Sequence, residues 1–128
     1  MGLKDKLFVK KSEKVNVDVW AWEVDDDLQA SSDEKDAPSN AESQKITFVF
    51  RRPSYRDSNY ILGAANIRVG DKEPEVDPVA FNDAVTKTLL LEMHDGKEVY
   101  QMNSQRLSEL NPALSRAAVA AVMNKISI

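Results

Sequence analysis

The chain has 128 residues, a formal net charge of -4 and no cysteine. This length fits one domain, and the lack of cysteine excludes disulfides, thiolate metal sites and cysteine nucleophiles and fits a reducing compartment. The first residues include lysines but no apolar stretch of signal-peptide length, and no later run is long enough to span a bilayer. We therefore expect one soluble, intracellular domain over residues 1–128, without contact with membranes.

The first predicted element is a strand over residues 15–22, "VNVDVWAW", in which side chains alternate strictly. One face of this strand consists of Val15, Val17, Val19 and Ala21. The other face carries Trp20 and Trp22. A strand with large apolar residues on both faces is either sandwiched inside the fold or meets a partner, and the sequence leaves both interpretations open.

An acidic segment follows at residues 25–44. It holds seven acids and one lysine, a charge of -6, which leaves +2 for the rest of the chain. Because it has few apolar residues to bury, we predict a long flexible hairpin loop that the fold does not need. Asp25, Asp26 and Asp27 lack the spacing, glycine and closing glutamate of a calcium loop, so we predict a solvated turn and no metal.

A second strand is predicted over residues 45–51, rich in β-branched and aromatic residues. Pro53 suits the first turn of a helix, which the pattern extends to about Arg68. Residues 69–76 are predicted to be a loop.

A basic junction connects this strand to the helix and consists of Arg51, Arg52 and Arg56. With Tyr55 and Tyr60 it could form a phosphate-and-stacking surface. The alternative is a set of solvated arginines that pair with the acidic segment. No nucleic-acid motif frames these residues and the charge outside the acidic segment is close to neutral, so we do not expect nucleic-acid binding.

The C-terminal half is predicted to be helical. Asp77-Pro78 is a helix start, with an N-cap followed by proline. The expected buried stripe is Phe81, Val85, Leu89 and Met93, and Asp95-Gly96 is expected to end the helix. Two further helices are predicted over residues 104–110 and 111–128. The fold class is therefore α+β, with a small N-terminal antiparallel hairpin or sheet packed on about four helices within residues 53–128.

The only histidine, His94, is expected at the end of a helix, where the macrodipole favours it. Its neighbour Asp95 would point in a different direction on that helix. No nucleophile motif and no glycine-rich phosphate loop is present. We therefore predict no enzymatic activity and no cofactor.

The last predicted helix is apolar almost all round, since eleven of the sixteen residues in 113–128 are apolar. Such a helix either belongs to the core or helps to form an assembly surface, and both interpretations are open. If it is an assembly surface, the partner-binding residues, together with Trp20 and Trp22, are Leu114, Ala117, Ala121, Val122 and Ile126.

Four stretches of residues 45–128 carry a family resemblance: "FVFRRPSYRD", "DPVAFNDAVTKTLLLEM", "LSEL" and "NPALSRAAVAAV". In this order they resemble the tail assembly chaperones of tailed bacteriophages. The resemblance implies a non-enzymatic protein in the host cytoplasm that coats the tape measure protein and recruits tail tube subunits, without a cofactor. It also implies a homo-oligomer or a part of a larger assembly.

Two other classes of function remain open. The chain could be a structural virion subunit, such as a baseplate or tail-completion protein, which would be present in purified virions whereas a chaperone would be absent. It could also be a nucleic-acid-binding accessory protein that uses the basic junction, and its binding would then weaken steeply with salt.

Overall fold

The protein has an α+β fold, as expected, in a computed structural model that describes residues 3–10, 12–67 and 75–128. A five-stranded antiparallel sheet is combined with four α-helices among these residues. The strands are β1 (Lys14–Val24), β2 (Asp27–Ser31), β3 (Gln44–Arg51), β4 (Asn66–Ile67), β5 (Glu75–Val76), β6 (Leu90–Asp95) and β7 (Glu98–Gln101). The helices are α1 (Tyr55–Ala65), α2 (Pro78–Leu89), α3 (Ser104–Glu109) and α4 (Pro112–Met123).

The strand order in the main sheet is β2-β1-β3-β6-β7, and β4 pairs with β5 separately. The strand predicted from alternation, 15–22, and the strand predicted from β-branched and aromatic content, 45–51, are confirmed as β1 and β3, which pair with each other from Lys14↔Arg51 to Ala21↔Gln44. Helix α4 packs on β1 and β2, while α2 contacts α1, α4 and β6.

The sheet has two unlike faces. The inner face packs against the helices in one core cluster, and on β1 and β3 it consists of Val15, Val17, Val19, Ala21, Ile46, Phe48 and Phe50. The outer face carries the alternate residues of the same strands, among them Asn16, Asp18, Trp20, Trp22, Thr47 and Val49. The period-2 pattern of an antiparallel strand thus separates apolar from mainly polar side chains.

The predicted loop over residues 25–44 is wrong in its first part, because residues Asp27–Ser31 form strand β2. Asp25 and Asp26 have φ of 52° and 64° and form a two-residue turn between the paired residues Val24 and Asp27. Two left-handed residues are what a type I′ hairpin requires. Leu28 and Ala30 pack against the core, so the segment buries more apolar surface than its composition suggested. Farther along, a short 3₁₀ turn over Glu34–Asp36 is capped by Asp33.

The prediction that the helix starting at Asp77-Pro78 continues to Asp95 is also wrong. Helix α2 ends at Leu89, and β6 begins at once and pairs with β3. Phe81, Val85 and Leu89 do lie toward the core, but Met93 belongs to the strand, opposite Phe48.

The β6 strand continues into a hairpin with β7 through Gly96, whose φ is 60°. A glycine with positive φ at the first central position is typical of a two-residue II′ turn. On its other side β6 carries one extra residue: Val49 is opposite Glu92 but Phe50 is opposite Leu90, so Leu91 forms a bulge.

The helix starts agree with their capping residues. Asp77 caps α2 and Asn111 caps α4, each followed by proline as predicted. Helix α1 begins two residues after Pro53, because Ser54 and Asp57 form a reciprocal capping box there.

The ends of two predicted helices differ from those in the structure. Helix α4 ends at Met123, so residues 124–128 are not helical, although Ile126 is still buried. The predicted continuation of the first helix to about Arg68 is wrong, because α1 ends at Ala65 and Asn66–Ile67 form β4. Arg68 itself and most of the loop predicted over 69–76 lie outside the described residues, and the last part of that loop forms β5.

Candidate protein-binding surface

The residues predicted to form an assembly surface on the last helix are buried inside the monomer. Their exposed fractions are 8% for Leu114, 7% for Ala117, 9% for Ala121, 0% for Val122 and 7% for Ile126. All five belong to the core cluster beneath the inner face of the sheet. The assembly role predicted for them is therefore wrong for the folded chain. A five-stranded sheet offers more area than the predicted hairpin, and it can bury a helix that is apolar on most sides.

Trp20 and Trp22 lie on the outer face and are partly exposed. The helices that pack on the sheet, α4 and α2, place their buried side chains in the core cluster of the inner face, which leaves the outer face without a helical layer among the described residues. Trp20 is opposite Ser31 on one side and Lys45 on the other. Two large rings on the water-facing side of the sheet are the most distinctive feature of this surface.

Besides the tryptophans, the outer face carries the buried apolar residue Val49 and several hydrogen-bonded polar groups. Thr47 Oγ1 donates to Asp18 Oδ1 at 2.8 Å, next to the tryptophans. At the far side of the sheet, His94 Nε2 lies 2.8 Å from Glu92 Oε2, and Gln101 Nε2 donates to Glu92 Oε1 at 3.0 Å. The hydrogen bond from His94, followed by that from Gln101, lowers the pKa of Glu92. The polar neighbours of the two rings are Asp18, Gln29, Ser31 and Lys45, in the position that the polar rim of an interface takes, while the groups on β6 and β7 lie beyond β3.

The position predicted for His94 is wrong: it lies within strand β6 and not at the end of a helix. Its contact is Glu92, two residues earlier on the same face, and not the adjacent Asp95. Alternation along a strand explains this choice, because side chains i and i+2 share a face.

The basic junction is mostly engaged within the fold. Arg51 donates to both carboxylate oxygens of Asp57, at 2.5 and 3.1 Å, and to the carbonyl of Thr88 at 2.9 Å. The hydrogen bond from Arg51, helped by Ser54, lowers the pKa of Asp57 to about 2. Arg51 therefore forms a joint that links the end of β3 to α1 and α2, and both terminal nitrogens of its guanidinium group donate within this joint.

The other two arginines do not complete a phosphate site. Arg52 Nε lies 3.6 Å from Glu13 Oε2. Arg56 is exposed beside them, at a cleft of about 480 Å³. The expected partners in the acidic segment are wrong, since the contacts are made by Asp57 and Glu13. The tyrosines are exposed on α1 and five positions apart, which directs them to different sides of the helix.

The acidic turn shows no cation site. Asp25 and Asp26 are the turn residues themselves, and the described residues contain no group of three or more histidine, aspartate or glutamate side chains that could hold a metal ion. The helices described here are also too short or too polar to cross a membrane.

Comparisons with known proteins do not identify this surface. No protein-family model, curated protein or solved structure matches the chain. The signal that points to this surface is already in the sequence, where Trp20 and Trp22 alternate with the buried valines. What the sequence lacks is the position of the helices, which decides which face of the strand stays open.

Proposed function

We propose that the protein is a non-enzymatic assembly factor, a tail assembly chaperone that binds the tape measure protein and recruits tail tube subunits. The single observation that carries a binding role is the pair of partly exposed tryptophans on the open face of the sheet. We infer the identity of these partners from the resemblance of residues 45–128 to the chaperone family. We assign the contact surface to the outer face of the sheet and not to the last helix, because that helix is buried.

The geometry of the pair suits an interface. Trp20 and Trp22 are two residues apart on one face, a spacing of about 7 Å, so one segment of a partner can cover both rings. Each ring is already partly covered in the monomer, so of the about 150–250 Å² that an aromatic side chain of this kind buries in full, roughly a third or less is left for a partner to cover. Aromatic residues of this kind carry much of the energy of protein interfaces when polar groups surround and dehydrate them.

The support beneath the pair is rigid. The residues between and beside the tryptophans on β1, Val19 and Ala21, are 0% and 5% exposed and are held by the core. A binding group on a well-packed strand keeps its orientation, so less entropy is lost when a partner binds.

The experiment is co-expression with the tape measure protein of the same phage. We expect the double variant Trp20→Ala/Trp22→Ala to remain folded by circular dichroism and to lose the partner in affinity purification. Tyr60→Ala is the matched control, because Tyr60 is an aromatic residue, 60% exposed, on helix α1. Equal recovery of the partner with both variants would contradict the assignment of the surface.

Two additional readouts separate the alternatives. The chain has two tryptophans, both on the outer face, so a blue shift of tryptophan emission on mixing with the partner reports burial of this surface directly. A chaperone should be missing from purified virions by mass spectrometry. Its presence there in stoichiometric amount would support the structural subunit, a baseplate or tail-completion protein.

A further inference from the structure

One end of the molecule is basic and carries uncovered apolar side chains. We call residues 3–10 the basic end. Leu3, Leu7 and Phe8 are 78%, 63% and 82% exposed. Over residues 3–10 the sequence has three lysines and one acid. Large apolar groups this exposed, so close to one another in a short segment, indicate a surface that a partner covers.

The opposite end of the sheet contains an acidic cleft of about 670 Å³. We call it the acidic cleft. It lies around the end of β1, with Trp22 on the outer face of the sheet and Leu28 on the inner face, and its carboxylates are Glu23, Glu42 and Asp95. The turn residues Asp25 and Asp26 follow Glu23 by two and three positions and add two carboxylates at the same end of the β1–β2 hairpin. No lysine or arginine within residues 3–10, 12–67 and 75–128 lines this cleft, and its size is in the range that holds several side chains.

The two ends cannot meet within one chain. Lys14 begins β1 beside the end of β3, whereas Ala21 is opposite the start of β3, and Ile46 in turn is opposite Asp95 at the end of β6. The eleven residues of β1 separate them by roughly 30 Å at about 3.3 Å per residue. Among the residues that the structure describes, neither end thus meets a complementary surface in its own molecule, and a second molecule offers one.

We propose that copies of this chain associate head to tail, with Leu7 and Phe8 of one copy seated in the acidic cleft of the next. The apolar side chains enter the cleft at the end of β1, between Trp22 on one face of the sheet and Leu28 on the other, and the flanking Lys4, Lys6 and Lys10 face the carboxylates of the rim. Such a contact is heterologous, since it joins two different surfaces. In such a dimer, one copy keeps a free basic end and the other keeps a free acidic cleft. Further copies can therefore add to form longer chains, or the two free surfaces can meet and close a ring.

This inference does not depend on a role in phage tails, and its variants leave Trp20 and Trp22 unchanged. Sedimentation velocity should show oligomers that grow with concentration up to about 100 μM, a range in which a contact of modest size is populated. Raising the salt from about 50 to about 500 mM should weaken the association roughly tenfold or more, because the charges at the rim are screened. A wild-type chain that stays monomeric at low salt would overturn the proposal.

The decisive test uses two variants, each with one damaged end. Leu7→Asp/Phe8→Asp removes the apolar insertion, and Glu23→Lys/Glu42→Lys reverses the charge of the rim at exposed positions. Each variant alone should be monomeric, with an unchanged thermal midpoint that shows it is folded. Mixed, they should form dimers that grow no further, because only one intact pair of surfaces remains.

Other outcomes identify other occupants and overturn the proposal. If the mixture stays monomeric while the wild type forms only dimers, the contact is symmetric and does not join the two ends. If the wild type stays monomeric but binds vesicles with about 30% anionic lipid and loses this binding with Leu7→Asp/Phe8→Asp, the basic end serves a membrane surface.

Discussion

The two faces of the sheet are made from the same strands and differ in almost every other property. On the inner face, Val19, Phe48 and Phe50 are 0% exposed and contact the helices. On the outer face, Asp18 and Thr47 form a hydrogen bond near water, and Trp20 and Trp22 are left partly exposed. Stability is therefore concentrated on one side of the sheet, which leaves the chemistry of the other side free to serve binding.

This difference explains how the protein can hold large aromatic residues on its surface without losing its fold. Burial of an apolar side chain contributes roughly 1.5–3 kcal/mol, and the inner face with its helices collects many such contributions. The outer face contributes little by comparison, so its residues can change with less effect on folding. Changes on the two sides should consequently differ in kind.

The largest expected effect comes from a charge placed under the inner face. Val122→Asp puts a carboxylate at a position that is 0% exposed on α4. We expect a loss of more than about 4 kcal/mol, enough to unfold a domain of this size, because the charge has no partner there. The loss of the circular dichroism signal and of a thermal transition is the measurement.

The matched control for this change is Ala120→Asp, two residues earlier on the exposed side of the same helix. It should cost less than about 1 kcal/mol, mainly through helix propensity. If Val122→Asp folds with the midpoint of Ala120→Asp, then α4 is not the cover of the inner face.

A smaller effect is expected at the joint between the sheet and the helices. Asp57→Asn removes the carboxylate that pairs with Arg51, and their side chains are 14% and 24% exposed. We expect a loss of about 2 kcal/mol at neutral pH, from the lowered pKa of Asp57 and the arginine left without its partner. Urea unfolding measures it. Asp83→Asn, in an exposed pair with Lys87, should cost under about 0.5 kcal/mol.

The same pair sets a pH dependence. Because the pKa of Asp57 falls from 3.8 in the unfolded chain to about 2 in the folded one, its contribution is complete above about pH 4. It is lost as the pH falls toward 2. The difference in stability between wild type and Asp57→Asn should therefore shrink over that window. A difference that stays constant down to pH 2 would show that the carboxylate is not what stabilises the joint.

The smallest effect on stability, which has the opposite sign, is expected at the turn between β1 and the edge strand β2. Asp26 has a φ of 64°, a conformation that costs an L residue energy and glycine almost none. Asp26→Gly should raise the free energy of unfolding by up to about 1 kcal/mol. Asp27→Gly, one residue later within β2, should lower it by about 0.5–1 kcal/mol. Equal effects of the two changes would argue against a left-handed turn.

Much of the fold could be predicted from local patterns. Strict alternation identified β1, β-branched and aromatic content identified β3, and Asp77-Pro78 and Asn111-Pro112 marked helix starts that the caps confirm. The β6–β7 hairpin could not be predicted this way. Leu90–Asp95 continues a helical spacing, and Asp95-Gly96 is compatible both with the end of a helix and with a tight hairpin turn. Pairing with β3, a contact distant in the sequence, decides between them.

The candidate surface was predictable only in part, for a related reason. The alternation of β1 shows that Trp20 and Trp22 share a face, but not which face the helices cover. The composition of the last helix shows that it must be buried on most sides, but not by what. A five-stranded sheet supplied the area, so α4 became core and the tryptophans stayed open. Such outcomes depend on the sum of all elements and not on any one stretch.

The strand order has a consequence for the time that folding takes. Strands β1 and β2, and likewise β6 and β7, are joined by two-residue turns, and hairpins of this kind form in about 1–10 μs. Strand β3 must then enter between β1 and β6, and both pairings join segments far apart in the chain. Closing those loops before their contacts form slows folding. We therefore expect refolding in milliseconds to seconds, with the docking of the central strand between two hairpins as the slow step.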